Sequence, residues 1–147
     1  MISKADLNSI SKLAELANKL WSGDSIKELE EEFLESLDIK NEELFIYEMD
    51  NVGIIAFIQL ALRYDYVEGC NSSPVAYIEG IYVEEEYRRN GIAQELVRAA
   101  ENWGKDHGCT EIASDCELYN VMSIDFHKSA GFIEENRVVC FKKDISI

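Results

Sequence analysis

The spacing of apolar and polar positions predicts a helical start to the chain. Apolar residues recur at three- and four-residue intervals over residues 3–20, as on the buried face of an amphipathic helix. After a break at residues 21–24, the same spacing continues to about Leu37, and Asp24 or Ser25 can cap this second helix. Its outward positions are mostly acidic, which is typical of a solvated face.

Three strands are predicted to follow the two helices. Residues 44–49 and 52–66 carry the β-branched and aromatic side chains of strands, and Asp50-Asn51 between them suits a turn. Residues 75–83 form the third strand, because Tyr77 to Val83 is mostly apolar, as in a buried strand.

Helices and strands alternate in the second half of the chain. Helices are predicted from Gly91 to about His107 and from Asn120 to Ala130, each followed by a glycine. The predicted strands are 111–115, 132–134 and 137–143. The order ααβββαβαββ is typical of an α+β fold, in which a mixed sheet carries helices on both faces. At 147 residues we expect one domain, residues 1–147.

Composition narrows the class of protein. The net charge of −15 argues against a nucleic-acid partner and favours a cationic substrate, or simply solubility. The apolar runs are too short to cross a bilayer and the N-terminus lacks a signal peptide, so we expect a soluble, cytoplasmic protein with no membrane partner. No metal is expected, because the two histidines are isolated and the cysteine spacings match neither a zinc site nor CxxC. The cysteines, expected as free thiols, are Cys70, Cys109, Cys116 and Cys140.

The loop after the third strand has the features of a phosphate site. An acidic turn at residues 84–86 leads into Arg88-Arg89-Asn90-Gly91-Ile92-Ala93, which opens the long helix. A helix N-terminus offers unpaired N–H groups and a positive dipole end, which suit a pyrophosphate. Gly91 allows close backbone approach and Ala93 keeps the next position small. The alternative is an ordinary strand-to-helix connection with two solvated arginines.

The sequence of this loop resembles a known family. RRNGIA resembles the R/Q-x-x-G-x-G/A loop of the GNAT acetyltransferases, which transfer acetyl from acetyl-CoA to amines. Asn120 and the run from His127 to Phe132 resemble their N-x-x-A…Y-x-x-x-G-F segment, with His127 in place of the usual tyrosine. The resemblance implies the GNAT fold and acetyl-CoA as acetyl donor. The implied contacts to acetyl-CoA are Ile81, Tyr82, Val83, Arg88, Arg89, Asn90, Gly91, Ile92, Ala93 and Asn120.

The likeness is denser to one branch of that superfamily. Segments from about residue 56 to the end, among them residues 61–69, Glu79-Gly80-Ile81 and Ala113-Ser114-Asp115, resemble the aminoglycoside 6′-N-acetyltransferases. Over the first 50 residues the likeness is thin, apart from Trp21 and the acidic helix. The resemblance implies acetyl transfer to the 6′-amino group of a polycationic aminoglycoside, by direct attack in a ternary complex. It also implies a homodimer.

The same resemblance implies roles for individual residues. Glu79 and Asp115 would hold the amines of the antibiotic, and Glu79 would relay a proton through water. His127, at the position of the usual proton donor, would approach the sulfur of coenzyme A. The implied catalytic residues are Glu79, Asp115 and His127. The implied substrate-binding residues are Trp21, Tyr66, Glu79, Asp115, Glu135 and Asn136.

Each of these side chains also has an ordinary structural explanation. Glu79 could face solvent or form a salt bridge with Arg63, and Asp115 could cap the following helix. Trp21 and Tyr66 could simply pack between helices or along a strand. The remaining alternatives are helix capping by Asn120 and helix packing by His127.

Two other functions stay open at the level of the sequence. One is a GNAT enzyme that acts on a polyamine, a protein N-terminus or another small amine, since an acidic cleft suits those cations as well. The other is a regulatory domain that binds acyl-CoA without catalysis, although such a domain would not need acids near the acetyl group.

Overall fold

The computed structural model describes residues 1–146, which form two compact units. The first unit spans Met1–Asp115 and the second begins at Cys116. The elements of the first unit are β1 (Ile2–Lys4), α1 (Ile10–Leu20), α2 (Ile26–Leu37), β2 (Glu42–Met49), β3 (Gly53–Arg63), β4 (Val75–Val83), α3 (Ile92–Asp106) and β5 (Ile112–Ser114). The second unit contains α4 (Val121–Ser129). One domain over residues 1–147 stays a prediction.

The strands form one mixed sheet, as predicted. Its order is β1-β2-β3-β4-β5, so each strand lies beside its neighbours in sequence. The first four strands are antiparallel, whereas β5 runs parallel to β4. The parallel pair requires a crossover, and α3 provides it.

Helices cover both faces of this sheet. On one face, α1 and α2 bury Leu13, Leu29 and Phe33 against Phe57 of β3. On the other face, Gly104 of α3 lies against Ala76 of β4. Ala76 is paired with Leu62 of β3, which points to the opposite face from Phe57 because the two residues are an odd number of positions apart. Each fully buried leucine or phenylalanine is worth about 1.5–3 kcal/mol relative to an exposed one, so these two layers supply most of the core stability.

The helix starts follow the capping chemistry of the sequence. The side chain of Ser25 accepts a hydrogen bond from the N–H of Glu28, which confirms it as the cap of α2. Asp6 accepts from the N–H of Asn8 and opens a short 3₁₀ turn, Leu7–Ser9, that leads into α1.

None of the helices in residues 1–146 combines the length and the hydrophobicity that a membrane crossing requires.

The N-terminal prediction was wrong over residues 3–9. Ile2–Lys4 is a strand that pairs with residues 45–47 of β2, and α1 begins only at Ile10. The apolar spacing that suggested a helix from residue 3 cannot report this pairing, which depends on a strand 40 residues later in the chain.

The C-terminal prediction was also wrong as regards strands. Residues 132–134 and 137–143 were expected to complete the sheet, but neither segment is in a strand in the described part of the chain. Their β-branched and aromatic side chains are largely exposed: Val138 is 70 % exposed and Phe141 93 %. A strand needs a pairing partner as well as the right side chains, and the sequence reports only the latter.

A β-bulge interrupts β4 at Glu79. Gln59 of β3 is paired with Gly80, while the next residue, Leu60, is paired with Ile78, so Glu79 is the extra residue. The bulge shifts the alternation of side chains along β4 by one position and changes where the Glu79 side chain points.

Gly80 lies directly under the indole of Trp21, the residue that ends α1. A Cβ atom at this position would approach the indole carbons to 2.4 and 2.5 Å, well inside van der Waals contact. The same indole packs against Phe57, with ring centroids 6.3 Å apart. The absence of a side chain at residue 80 therefore lets the Trp21 indole contact the backbone of β4 next to Glu79.

We predict that Gly80→Ala displaces Trp21 and lowers the free energy of unfolding by about 1–3 kcal/mol, the usual cost of overpacking. Urea denaturation measures this loss. Gly23→Ala is the matched control, because its added Cβ meets nothing within 4 Å; its effect should stay within about 0.5 kcal/mol. Equal stability of the Gly80 variant and wild type would show that Trp21 does not depend on this contact.

Candidate functional site

The parallel strands β4 and β5 are paired only over a short stretch. Residues 76–78 of β4 pair with residues 112–114 of β5, and the pairing stops where the bulge at Glu79 begins. Beyond that point, residues 80–83 remain paired with β3 on one side, and no described strand borders them on the other. Backbone groups along this edge of β4 are thus available to a ligand with amide groups of its own.

Four side chains meet at the point where β4 and β5 separate. We call Arg63, Tyr77, Glu79 and Asp115 the strand-end cluster; they come from the end of β3, from β4 and from the residue after β5. Arg63 donates two hydrogen bonds to Glu79 in a bidentate pair, with Nη2–Oε1 at 2.7 Å and Nε–Oε2 at 3.1 Å. The Glu79 side chain is 30 % exposed, so the pair remains open to solvent.

Tyr77 connects the ion pair to the second carboxylate. Its hydroxyl donates a hydrogen bond to Asp115 Oδ2, and its ring lies beneath the Arg63 guanidinium, with Cζ 3.4 Å from the ring centroid. Burial, followed by the hydrogen bond to Asp115, raises the pKa of the Tyr77 phenol well above its ordinary value. The hydrogen bonds to Glu79 likewise raise the pKa of Arg63. Tyr77 therefore stays neutral and Arg63 stays charged at physiological pH.

Tyr66 lies in the loop between β3 and β4 and is 76 % exposed. Several hydrogen bonds order this loop: Glu111 accepts from the N–H of Asn71 at 2.9 Å and from the Ser72 hydroxyl, and the Ser73 hydroxyl donates to the Tyr64 carbonyl. The two hydrogen bonds to Glu111, first that of Ser72 and then that of Asn71, lower the pKa of its carboxyl group. Tyr66 is thus an exposed ring on an ordered loop, and not a packed strand residue.

The loop between β4 and α3 has the geometry of an anion cradle. Gly91, immediately before α3, has a φ of 77°, in the left-handed region that favours glycine, and Arg89 also has a positive φ of 67°. The N–H groups of Ile92 and Ala93 open the first turn of α3, where a helix has no carbonyl partners for them. The predicted pyrophosphate site thus has a helix N-terminus and a left-handed glycine side by side.

Arg88 has a structural contact in this loop. Its Nε donates to the Val83 carbonyl at 2.8 Å, and its guanidinium lies 5.3 Å from the centre of the Tyr82 ring. The Tyr82 hydroxyl in turn donates to Glu84, whose pKa is lowered mainly by the hydrogen bond from Lys19. This chain of contacts ties the C-terminal end of β4 to α1.

The second unit carries the remaining predicted site residues. Asn120 caps α4, since its Oδ1 accepts from the N–H of Ser123 at 3.1 Å. His127 Nδ1 lies 2.7 Å from the Ser123 carbonyl oxygen, which assigns the proton of the neutral ring to Nδ1. The His127 ring also packs against Phe126 and Phe132. Glu135 and Asn136 are exposed, and Asn136 Oδ1 accepts from the N–H of Arg137.

Several predicted site residues lie together as a site requires and also make ordinary structural contacts. Glu79 and Asp115 lie in one cluster, as a shared site requires, and the alternative salt bridge between Glu79 and Arg63 is also present. Asp115 bonds to Tyr77, and the cap of α4 is Asn120. Sequence reasoning did not assign Tyr77 to the site, although its position two residues before Glu79 on an apolar strand was a usable signal.

The cysteines are free thiols, as expected, and burial raises the pKa of Cys109. Within residues 1–146, no three His, Cys, Asp or Glu side chains lie close enough together to hold a metal ion.

The fold and loop identify the family. Residues 10–132 match the acetyltransferase (GNAT) family, and this chain belongs to it. The predicted GNAT fold is therefore confirmed, including its mixed sheet.

Full-length relatives are found among the aminoglycoside acetyltransferases. The chain is 38% identical over 145 residues to the aminoglycoside N(6′)-acetyltransferase type 1 of Serratia marcescens, with 99% of each chain covered. The crystal structure of the aminoglycoside antibiotic 6′-N-acetyltransferase of Acinetobacter haemolyticus, in its apo form, has a TM-score of 0.93 and 41% identity over 99% of both chains. The structure of AAC(6′)-Iy with the bisubstrate analogue CoA-S-monomethyl-acetylneamine has a TM-score of 0.92 and 34% identity, covering 99% of this chain and 98% of that one.

Proposed function

We propose that this protein transfers acetyl from acetyl-CoA to the 6′-amino group of aminoglycoside antibiotics and thereby confers resistance to them. The observation that carries the proposal is the strand-end cluster, which places two carboxylates where the free edge of β4 begins. Full-length relatives named as aminoglycoside 6′-N-acetyltransferases support the same substrate class. A regulatory domain that only binds acyl-CoA would not need this pair of acids.

The residues present fit acetyl-CoA, the acetyl donor that supplies a reactive thioester. The backbone of Ile81 and Val83, on the open edge of β4, pairs with the amides of the pantetheine arm. The N–H groups from Arg89 to Ala93 hold the pyrophosphate at the N-terminus of α3. Arg88 contributes less than we expected, because its N–H donates to Glu85 and its Nε donates to Val83. Asn120 acts mainly by fixing the start of α4.

The acidic character of the site suits a polycation with several ammonium groups. Asp115 holds one ammonium group, and the neutral Tyr77 bonded to it leaves its negative charge uncancelled. Trp21, in contact with Gly80, offers an apolar wall next to Glu79, and Tyr66 offers a second aromatic ring on its loop. Glu135 and Asn136, which are exposed on the second unit, are proposed as antibiotic-binding residues on the resemblance alone.

The reaction is direct transfer in a ternary complex. The amine nitrogen forms a bond to the acetyl carbon, the carbon–sulfur bond breaks, and the amine loses one proton. Glu79 accepts that proton through a water molecule, because its partly exposed carboxylate is within reach of solvent. His127, at the position of the usual proton donor, is the proposed proton source for the departing thiolate. With Nδ1–H directed at the Ser123 carbonyl, Nε2 is the ring nitrogen left for that transfer.

The exposed C-terminal segment supports a homodimer. Residues 132–146 contain apolar side chains of strand-forming type without a strand partner in the described chain, and such segments pair readily with another copy. We propose that this segment pairs with a second copy of the chain. The exposed apolar residues are Ile133, Val138, Val139, Phe141 and Ile145.

The proposed setting is the cytoplasm, where acetyl-CoA is available.

Turnover should require the 6′-amine of the antibiotic. We predict that kanamycin releases free thiol from acetyl-CoA, whereas an analogue with hydroxyl in place of the 6′-amine does not, because only the amine can accept the acetyl group at that position. A thiol reagent follows the reaction continuously. Spermidine serves as the competing acceptor: faster turnover on spermidine than on kanamycin would replace the proposed function with the polyamine alternative.

The pyrophosphate loop can be tested with the two glycines that flank α3. Gly91 and Gly108 both have positive φ and open space around the added Cβ, so alanine causes similar backbone strain at each. We predict that Gly91→Ala weakens acetyl-CoA binding at least about tenfold, or about 1.4 kcal/mol, and that Gly108→Ala does not. Calorimetric titration with coenzyme A measures both variants. Equal affinities for the two would remove the loop from the cofactor site.

The dimer can be tested through the exposed C-terminal segment. We predict that Phe141→Glu raises the dimer dissociation constant at least about tenfold, because a carboxylate would then be buried between copies. Sedimentation analysis over a range of concentrations measures the constant. Val52→Glu, at another exposed apolar residue, is the matched control and should leave it unchanged. A monomeric wild-type protein would contradict the dimer, and an unaffected Phe141 variant would contradict this interface.

A further inference from the structure

The proposed reaction sets two demands on Glu79 that oppose each other. The site must attract a cationic substrate, yet the nitrogen that attacks must be a neutral amine. A free carboxylate that binds an ammonium group favours its protonated form and so delays the loss of the proton. A carboxylate whose charge is already balanced does not favour the ammonium form to the same extent.

The structure balances the charge of one carboxylate and not the other. Both oxygens of Glu79 accept hydrogen bonds from the Arg63 guanidinium, at 2.7 to 3.1 Å. Asp115 accepts from the Tyr77 hydroxyl, a neutral donor that cancels no charge. The cluster therefore carries one positive and two negative charges, and its net negative charge lies at Asp115.

Arg63 is held in place by more than its salt bridge. Its guanidinium lies over the Tyr77 ring at 3.4 Å, so ring contact and bidentate pairing fix it together. The titratable groups that act on the guanidinium are Glu79, Tyr77 and Asp115. The raised pKa of Tyr77 keeps its phenol neutral through the physiological range, so Tyr77 exchanges no proton near pH 7.

We propose that Arg63 is a positioning residue for the acetyl transfer: it balances the charge of Glu79, so that the attacking amine meets this carboxylate as a neutral group while Asp115 holds a neighbouring ammonium. The inference rests on the proposed function and deepens it. Asp115 attracts the cationic substrate, and Glu79 takes part in deprotonation of the attacking amine. The two opposing demands thus fall on different carboxylates.

The test is the pH dependence of turnover in two substitutions of Arg63. Arg63→Met removes the charge and keeps an unbranched aliphatic stem, and Arg63→Lys keeps the charge without the bidentate fork. Arg98→Met, an exposed arginine on α3, is the matched control. The values of kcat and KM for kanamycin are measured at saturating acetyl-CoA over the accessible pH range, since kcat reports groups in the bound complex.

Arg63→Met should raise the midpoint of the pH profile of kcat by about 0.5–1 pH unit. Loss of the nearby positive charge leaves Glu79 unbalanced, and the bound amine then keeps its proton to a higher pH. At neutral pH kcat falls several-fold, while KM for kanamycin stays level or falls, since an unbalanced Glu79 binds the ammonium form more tightly. Arg63→Lys and Arg98→Met should keep the wild-type midpoint. An unmoved midpoint, or a loss of kcat that is equal at every pH, would overturn the proposal and indicate a purely structural Arg63.

A binding measurement separates this proposal from the function on which it rests. Calorimetric titration with kanamycin in buffers of different ionisation enthalpy counts the protons released on binding. Arg63→Met should release fewer protons than wild type, whether or not the acetyl group is then transferred. Binding with equal proton release in both proteins would overturn the charge-balancing role alone. Absence of kanamycin binding to wild type would overturn both proposals.

Discussion

The early separation of two parallel strands is the constraint on which the rest of the site depends. β5 pairs with β4 only as far as Ile78, and the bulge at Glu79 shifts the side-chain alternation at that same point. The separation leaves an open backbone edge on β4 on one side and brings Asp115, just past the end of β5, near Tyr77. Continued pairing through Val83 would close this edge, and regular alternation would point Glu79 elsewhere.

Electrostatics in this protein operates at two ranges. The net charge of −15 attracts cations in general, and salt largely screens that attraction beyond a Debye length, about 8 Å at physiological ionic strength. Selectivity at the reacting amine requires short contacts, and there the chain places a positive group of its own, Arg63, against Glu79. In the proposed reaction, this arginine limits how strongly one carboxylate of an acidic protein holds a cation.

The sequence predicted those parts of the fold that depend on neighbouring residues, such as helix spacing and helix caps. The spacing of apolar residues and the cap at Ser25 predicted α2 within a residue, and the glycine before α3 predicted the start of that helix within a residue. Pairing between distant segments was not accessible in the same way. Ile2–Lys4 is a strand because of β2, and residues 137–143 are not in a strand although their side chains favour one. For the site, Glu79 and Asp115 were predicted together, but the bulge, the contact of Trp21 with Gly80 and the role of Tyr77 depend on strand register.

The most direct test of the site is a crystal structure of the protein with coenzyme A and kanamycin bound together. We expect the 6′-amine within hydrogen-bonding reach of Glu79, directly or through one water molecule, and an ammonium group of the antibiotic on Asp115. The pantetheine amides should pair with the open edge of β4, and the pyrophosphate should lie on the N–H groups that open α3. Kanamycin bound away from the strand-end cluster, or coenzyme A bound away from this edge, would contradict the proposed site.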